Sequence, residues 1–241
     1  MKILLEQIIR LRNPHFRFDE SVTSRLLLAF AWSYGRSYLR GLRLLLLAKM
    51  PRHVLLGRGV GFFNSPNIRL GRWVKLGDHV QLSAAGTGEL VIGDHSGIGA
   101  FSRVVIATSF NQLGSHIRIG KNVGIGEFAY LGGGGGLEIG DDCIVGQYFS
   151  CHPENHITVD PNRPIRMQGV TRKGIRVGKD CWIGSKVTIL DGVEIGDHCV
   201  IAAGAVVTRS MPSGSVIAGV PARVIRSRSA DEPVTYQHRA S

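Results

Sequence analysis

Residues 177–209 read VGKDCWIGSKVTILDGVEIGDHCVIAAGAVVTR. Val177, Ile183, Ile189, Ile195, Ile201 and Val207 recur at every sixth position. Four residues after each of the first five stand Cys181, Val187, Val193, Cys199 and Ala205, all small or β-branched. A period of six fits neither an amphipathic helix nor a long alternating strand. It is the mark of a parallel β-helix made of six-residue units. Each unit gives one short strand and one turn, so three units close a triangular coil. The aliphatic anchors point inward, and coils stack at the ordinary strand separation of about 4.8 Å.

The pattern recurs upstream in shifted frames. Leu70, Leu76 and Leu82 form one block, with Val74 and Val80 at the small positions. Ile92 and Ile98 form another, with Ser96 and Ser102, followed by Ile119, Ile125 and Leu131, then Ile139 and Val145. The phase slips near residues 84–89, 106–116, 132–136 and 151–174. In a solenoid such slips are loops extruded from a corner while stacking continues. The 32 glycines suit a chain that turns every sixth residue, and many are expected at positive φ. The reading is an all-β solenoid over residues 61–226, with a helical extension over 1–60 and a C-terminal tail over 227–241.

The formal charge of +11 is unevenly spread. Residues 1–60 hold eleven Lys and Arg against Glu6, Asp19 and Glu20, leaving the solenoid close to neutral. Asn13-Pro14 breaks the first apolar stretch, and Asp19 to Met50 reads as helical. On a helical wheel Arg25, Arg36, Arg40 and Arg43 fall on one stripe, with Leu, Phe, Trp and Tyr filling the rest. The longest uncharged run, Leu26 to Gly35, is too short to span a bilayer. Two roles suit such a helix: peripheral contact with an anionic membrane through residues 19–50, or a cap on the open end of the solenoid. No nucleic-acid motif accompanies the charge, so no nucleic-acid partner is expected. Cys143, Cys181 and Cys199 fall at inward hexad positions and Cys151 in the long loop, with no Cys-x-x-Cys pair. With no cleavable leader visible, a cytoplasmic location is expected, with peripheral association on the inner face of the membrane.

The slip over 151–174 contains Cys151-His152-Pro153-Glu154-Asn155-His156. Acyl transfer to a hydroxyl needs a base that is neutral near pH 7, and histidine is the side chain suited to that. His79, His95 and His198 stand at hexad corners and read as surface residues.

Gly178-Lys179-Asp180-Cys181-Trp182-Ile183-Gly184, residues 193–197 (VEIGD), 202–209 (AAGAVVTR) and 218–225 (AGVPARVI) closely resemble the hexapeptide acetyltransferases. That group includes the galactoside and maltose O-acetyltransferases and the polysaccharide O-acetyltransferases of the colanic-acid and capsule type. The resemblance covers about residues 65–226. It implies a left-handed β-helix, a homotrimer, acetyl-CoA as donor, a carbohydrate acceptor and no metal. Counted from Gly140, the family spacing to its catalytic base lands on His156. Asn155 keeps its place beside that histidine, while the family's usual acid is lost; Glu154 and Asp160 are the candidates to orient the imidazole. Carried over in the same way, Trp182 and Ser185 lie beside the pantetheine arm and Ala203 offers backbone hydrogen bonds. Thr208 and Arg209 lie along the CoA, and Arg223 and Arg226 meet its 3′-phosphate adenosine end.

The resemblance therefore implies direct O-acetylation of a sugar hydroxyl in exopolysaccharide, capsule or lipopolysaccharide synthesis. N-acetylation of an amino sugar or xenobiotic is the alternative within enzymes, decided by the loops near 106–116 and 127–136. A zinc hydratase on the same prism needs three histidines around one metal, and a non-catalytic scaffold needs no CoA binding.

Overall fold

The structure, a computed structural model, describes residues 6–7 and 16–228. The Asn13-Pro14 break and residues 229–241 lie outside them. Contacts divide the chain into two compact units, Met1–Pro51 and Arg52–Ser241.

In the first unit, helix α1 spans Ser24–Gly41 and continues as a 3-10 turn over Leu42–Leu47. It starts later than the sequence reading because Asp19 folds back on Ser21, accepting its backbone N–H at 2.8 Å and its hydroxyl at 2.6 Å. Thr23 then caps the helix, its hydroxyl accepting the N–H of Leu26 at 3.2 Å. Leu27 and Leu44 are buried, whereas Leu28, Trp32, Leu39 and Leu46 are exposed. Among the described residues no helix is long and apolar enough to cross a membrane.

The second unit is a three-sided prism of parallel strands. Face A starts at Leu55–Leu56 and ends in the antiparallel pair Ser215–Gly219 and Ala222–Ser227. Face B runs from Gly61–Phe63 to Val206–Val207, and face C from Ile68–Leu70 to Glu194–Ile195. Face B has seven strands, one per coil. The prism begins with Arg52, ahead of the boundary expected at 61. Val54 and Leu56 already point inward there, but a single first coil offers no earlier repeat by which to recognise it.

The inward columns are those that the period predicts. Val177, Ile183, Ile189, Ile195, Ile201 and Val207 are all buried, as are Cys181, Val187, Val193, Cys199 and Ala205. Leu70, in the first coil, is only half-buried. Ser96 and Ser102 are tolerated inside because each hydroxyl is satisfied by the next coil. Ser96 Oγ donates to Gly120 O at 2.7 Å and accepts from Val123 N–H at 3.0 Å; Ser102 Oγ accepts from Ala129 N–H at 3.0 Å.

The glycines do different work from that expected. The left-handed corner positions are mostly non-glycine, among them Trp73, His79, His95, Phe101, Phe128, Tyr148, Lys186 and His198. Glycine stands instead where one coil touches the next. A Cβ on Gly126 would lie 2.6 Å from Gln147 N, and one on Gly184 2.5 Å from Ala203 N. Aspartates secure the corner between faces C and A: Asp94 and Asp141 accept the backbone N–H of Arg72 at 2.8 Å and of Lys121 at 2.7 Å. The Arg72 backbone and side-chain hydrogen bonds hold the Asp94 carboxyl below its usual range.

Candidate active site

Each of the four phase slips leaves face B and returns on face C, so all of them crowd one edge of the prism. Adjacent loops are tied to each other by backbone. Gly86 bridges Gly114, Ser115 N–H donates to Gly133 O at 3.1 Å, and Gly135 N–H donates to Pro153 O at 2.9 Å. The glycine run 132–136 makes this approach possible, since a Cβ on Gly134 would lie 2.5 Å from Glu154 Oε2.

The longest loop opens with a short antiparallel pair, Asn155–His156 against Val170–Thr171. Gln168 gathers its outer part, bonding the carbonyls of Asp160 at 2.8 Å and Arg163 at 2.7 Å. Asp191 anchors its return, accepting the backbone N–H of Lys173 and of Gly174, both at 2.8 Å. Arg172 then spans two loops. It donates to Glu154 Oε2 from Nε at 3.1 Å and to the carbonyl of Leu113 at 2.8 Å, with a longer bond to Gln112 O at 3.4 Å.

Between these loops lies a cavity of about 400 Å³ whose lining includes Tyr130, His152, Glu154, His156, Arg166 and Arg172. His152 ends the face-B strand Ser150–His152, and its ring stacks on Tyr130 at 5.4 Å between centroids. His156 reaches the cavity from the loop hairpin. Asn155, its strand neighbour, does not line the cavity. The Glu154 carboxylate is engaged by Arg172. Cys151 points inward beneath this floor and is fully buried, and burial pushes its thiol above the ordinary range, which leaves it protonated. Among the described residues no three His, Cys, Asp or Glu side chains gather as a metal-ion group.

The residues expected to hold CoA stand elsewhere on the prism. Trp182 is half-exposed on face A, in an outward column that runs from Ile144 through Val200 and Val216 to Arg226. Ser185 and Ala203 turn the A–B corner, where Ser185 Oγ donates to Gln147 Oε1 at 2.9 Å. Thr208 and Arg209 follow the last face-B strand, and Arg223 lies on the final strand beside Ala218. Arg223 and Arg226 each spend one N–H on a neighbouring carbonyl and keep further donors for an anion. Within one chain, then, Trp182 and Arg226 lie on face A while His156 lies at the B–C corner. Tyr130, Arg166 and Arg172 were not singled out by the sequence. Tyr130 carried a weak signal, its outward place in a strand, whereas nothing distinguished the two arginines from other loop arginines.

Residues 174–209 match the model of the bacterial transferase hexapeptide (six repeats). A Mycobacterium tuberculosis protein named "Probable acetyltransferase" is 29% identical over 190 residues, covering 78% of this chain and 54% of that one. The galactoside O-acetyltransferase of Escherichia coli is 36% identical over 120 residues, covering 48% of this chain and 56% of that one. The chain thus spans a little over half the length of these relatives. Among solved structures, the D94N mutant of AntD, an N-acyltransferase from Bacillus cereus, in complex with dTDP and coenzyme A, superposes with a TM-score of 0.50. That match is at 21% identity and covers 73% of this chain and 82% of AntD; it speaks to the fold alone. The transferase hexapeptide repeat is thus matched in sequence over residues 174–209, in a chain whose coils stack as a left-handed parallel β-helix.

Proposed function

We propose that this protein is an acetyl-CoA-dependent O-acetyltransferase that modifies a sugar hydroxyl in the synthesis of a surface polysaccharide. The observation that carries the reading is the B–C corner cavity, where His156 and His152 meet polar loop residues on a hexapeptide-repeat scaffold. The relative named for galactoside O-acetylation supports the sugar hydroxyl. In this reading His156 is the general base and takes the proton of the attacking hydroxyl. A backbone N–H of the coil carrying Ser185 stabilises the oxyanion. Acetyl-CoA supplies an acetyl thioester when bound. Trp182 and Ser185 would lie beside its pantetheine arm, Ala203 would offer backbone hydrogen bonds, Thr208 and Arg209 would lie along the CoA, and Arg223 and Arg226 would meet its 3′-phosphate end. No acyl-enzyme is needed, and Cys151 is too deeply buried to form one.

The separation of His156 from the face-A residues favours a homotrimer in which each site is shared between subunits. Sedimentation equilibrium should give a trimer; an active monomer would overturn the shared site. The direct test of function incubates the protein with acetyl-CoA and a panel of neutral sugars, amino sugars and small amines, following free thiol release. Release with hydroxyl acceptors supports the proposal. Release with amino sugars alone makes it an N-acetyltransferase, and no CoA binding at all returns the chain to a scaffold.

For helix α1 we propose peripheral contact with anionic lipid on the inner face of the membrane. Leu28, Trp32, Leu39 and Leu46 are exposed on a helix that also carries Arg25, Arg36 and Arg40. Changing Arg25, Arg36, Arg40 and Arg43 to Gln should release the protein from anionic vesicles, each charge contributing about 1 kcal/mol. Binding that ignores both salt and these substitutions would overturn the contact.

A further inference from the structure

On the outer surface of face B, next to the cavity that holds His156, lies a second cavity of about 500 Å³. The two share Val105 and the segment Ala107–Ser109, so they are compartments of one groove. Register fixes its floor. Phe63 pairs with Ser83, Ser83 with Val105, and Val105 with Gly132. The next strand brings His152 beside Gly132, since Leu131 pairs with Cys151. Phe63 and His152 therefore stand at opposite ends of one outward column, four strand spacings apart, or about 19 Å. The residues between them are Ser83, Val105 and Gly132, whose small side chains leave a trough.

The far end of the trough is aromatic. Phe63 is 51% exposed and Phe110, on the 106–116 loop, is 78% exposed; their rings lie 6.3 Å apart. Neither ring contributes to the prism core, and both line the second cavity. Arg103 flanks the trough from the parallel outward column, and Ser83, Thr108 and Ser109 add hydroxyls along it. Apolar plates with a few convergent polar groups are the ordinary make-up of a ligand subsite. A sugar ring offers an apolar C–H face and a polar rim, which suits this lining.

We infer that the groove from His152 to Phe63 is an extended acceptor site that takes a carbohydrate chain, with Phe63 and Phe110 stacking on a ring distal to the acetylated one. This rests on the transferase reading above and adds to it that the acceptor is longer than a monosaccharide.

The experiment uses the full chain, with malto-, cello- and manno-tetraose and the methyl glycosides of their monosaccharides as probes. Binding is measured by calorimetry without donor, and transfer by thiol release. At least one tetraose should bind more tightly than its monosaccharide. Phe63→Ala and Phe110→Ala should each remove about tenfold of that chain-over-monosaccharide advantage. Both side chains are exposed, so neither variant should alter the melting temperature. The proposal is overturned if no tetraose outbinds its monosaccharide, or if the variants leave the advantage intact. It is also overturned if they weaken chain and monosaccharide alike. The binding arm distinguishes its failure from that of the transferase reading, because a chain that binds through Phe63 without thiol release would leave the groove standing and remove the catalysis.

Discussion

At the A–B corner of the prism the chain turns tightly in every coil, and its left-handed residues stack as a column. His79, Phe101, Phe128 and Tyr148 succeed one another with ring centroids 5.0–5.3 Å apart and nearly parallel planes. At the B–C corner of the same coils the chain leaves the prism four times, and the departures build a cavity with two histidines. The first corner is constrained on both sides, because each residue stacks on its equivalent above and below. The second is constrained only where strands begin and end, so insertions there cost little stacking. The corner that the repeat leaves free is therefore the one where the scaffold can carry loops and the proposed general base.

Three pairs of substitutions test this division, in descending order of expected effect. Ile189→Ala removes a fully buried anchor of face B and should cost about 2–5 kcal/mol, read from the denaturant midpoint. Ile165→Ala, on the long loop and 53% exposed, should change stability by no more than about 0.5 kcal/mol. Equal losses at both sites would mean that the loop is as much a part of the core as the prism.

His156→Ala should lower acetyl transfer at least about 100-fold, with CoA affinity and melting temperature unchanged. His152→Ala should be mild by comparison, its ring being packed on Tyr130 at the end of a strand. The reverse order would transfer the role of base to His152 and overturn the register in which the loop is read.

Arg172→Ala leaves Glu154 without its ion pair and frees the loop carbonyl of Leu113. The acceptor KM should rise about tenfold with a smaller change in kcat, and amide exchange over 106–116 should quicken. Arg172→Lys should recover only part of the loss, because one ammonium cannot span both loops as a guanidinium does. An unchanged KM would show that the two loops hold their places without this tie.

The sequence was explicit about whatever repeats. A six-residue period names the inward columns, because an inward side chain must match the ones above and below it; Val177 through Val207 are buried as read. It also located the loops, since an insertion shifts the phase. Its account of glycine held only for some positions: Gly59 and Gly204 turn corners at positive φ, but most left-handed corner residues are not glycine. Gly126 and Gly184 answer to the approach of the next coil's backbone, an interaction between residues about twenty apart that local turn chemistry does not report. It placed the helix start too early for a local reason, the turn closed by Asp19 on Ser21.

What the sequence by itself determined was a stacked prism with a histidine-bearing loop, because periodicity is a local property of the chain. Only the tertiary structure decided that the four slips share one corner, and that Arg172 meets Leu113 across 59 positions of sequence. It alone set Phe63 and Phe110 at the far end of the column that His152 closes. The physical reason is that a column of outward residues has no hydrophobic signature of its own. Its members are polar, small or aromatic as their use demands, and they become neighbours only when the coils are counted and stacked.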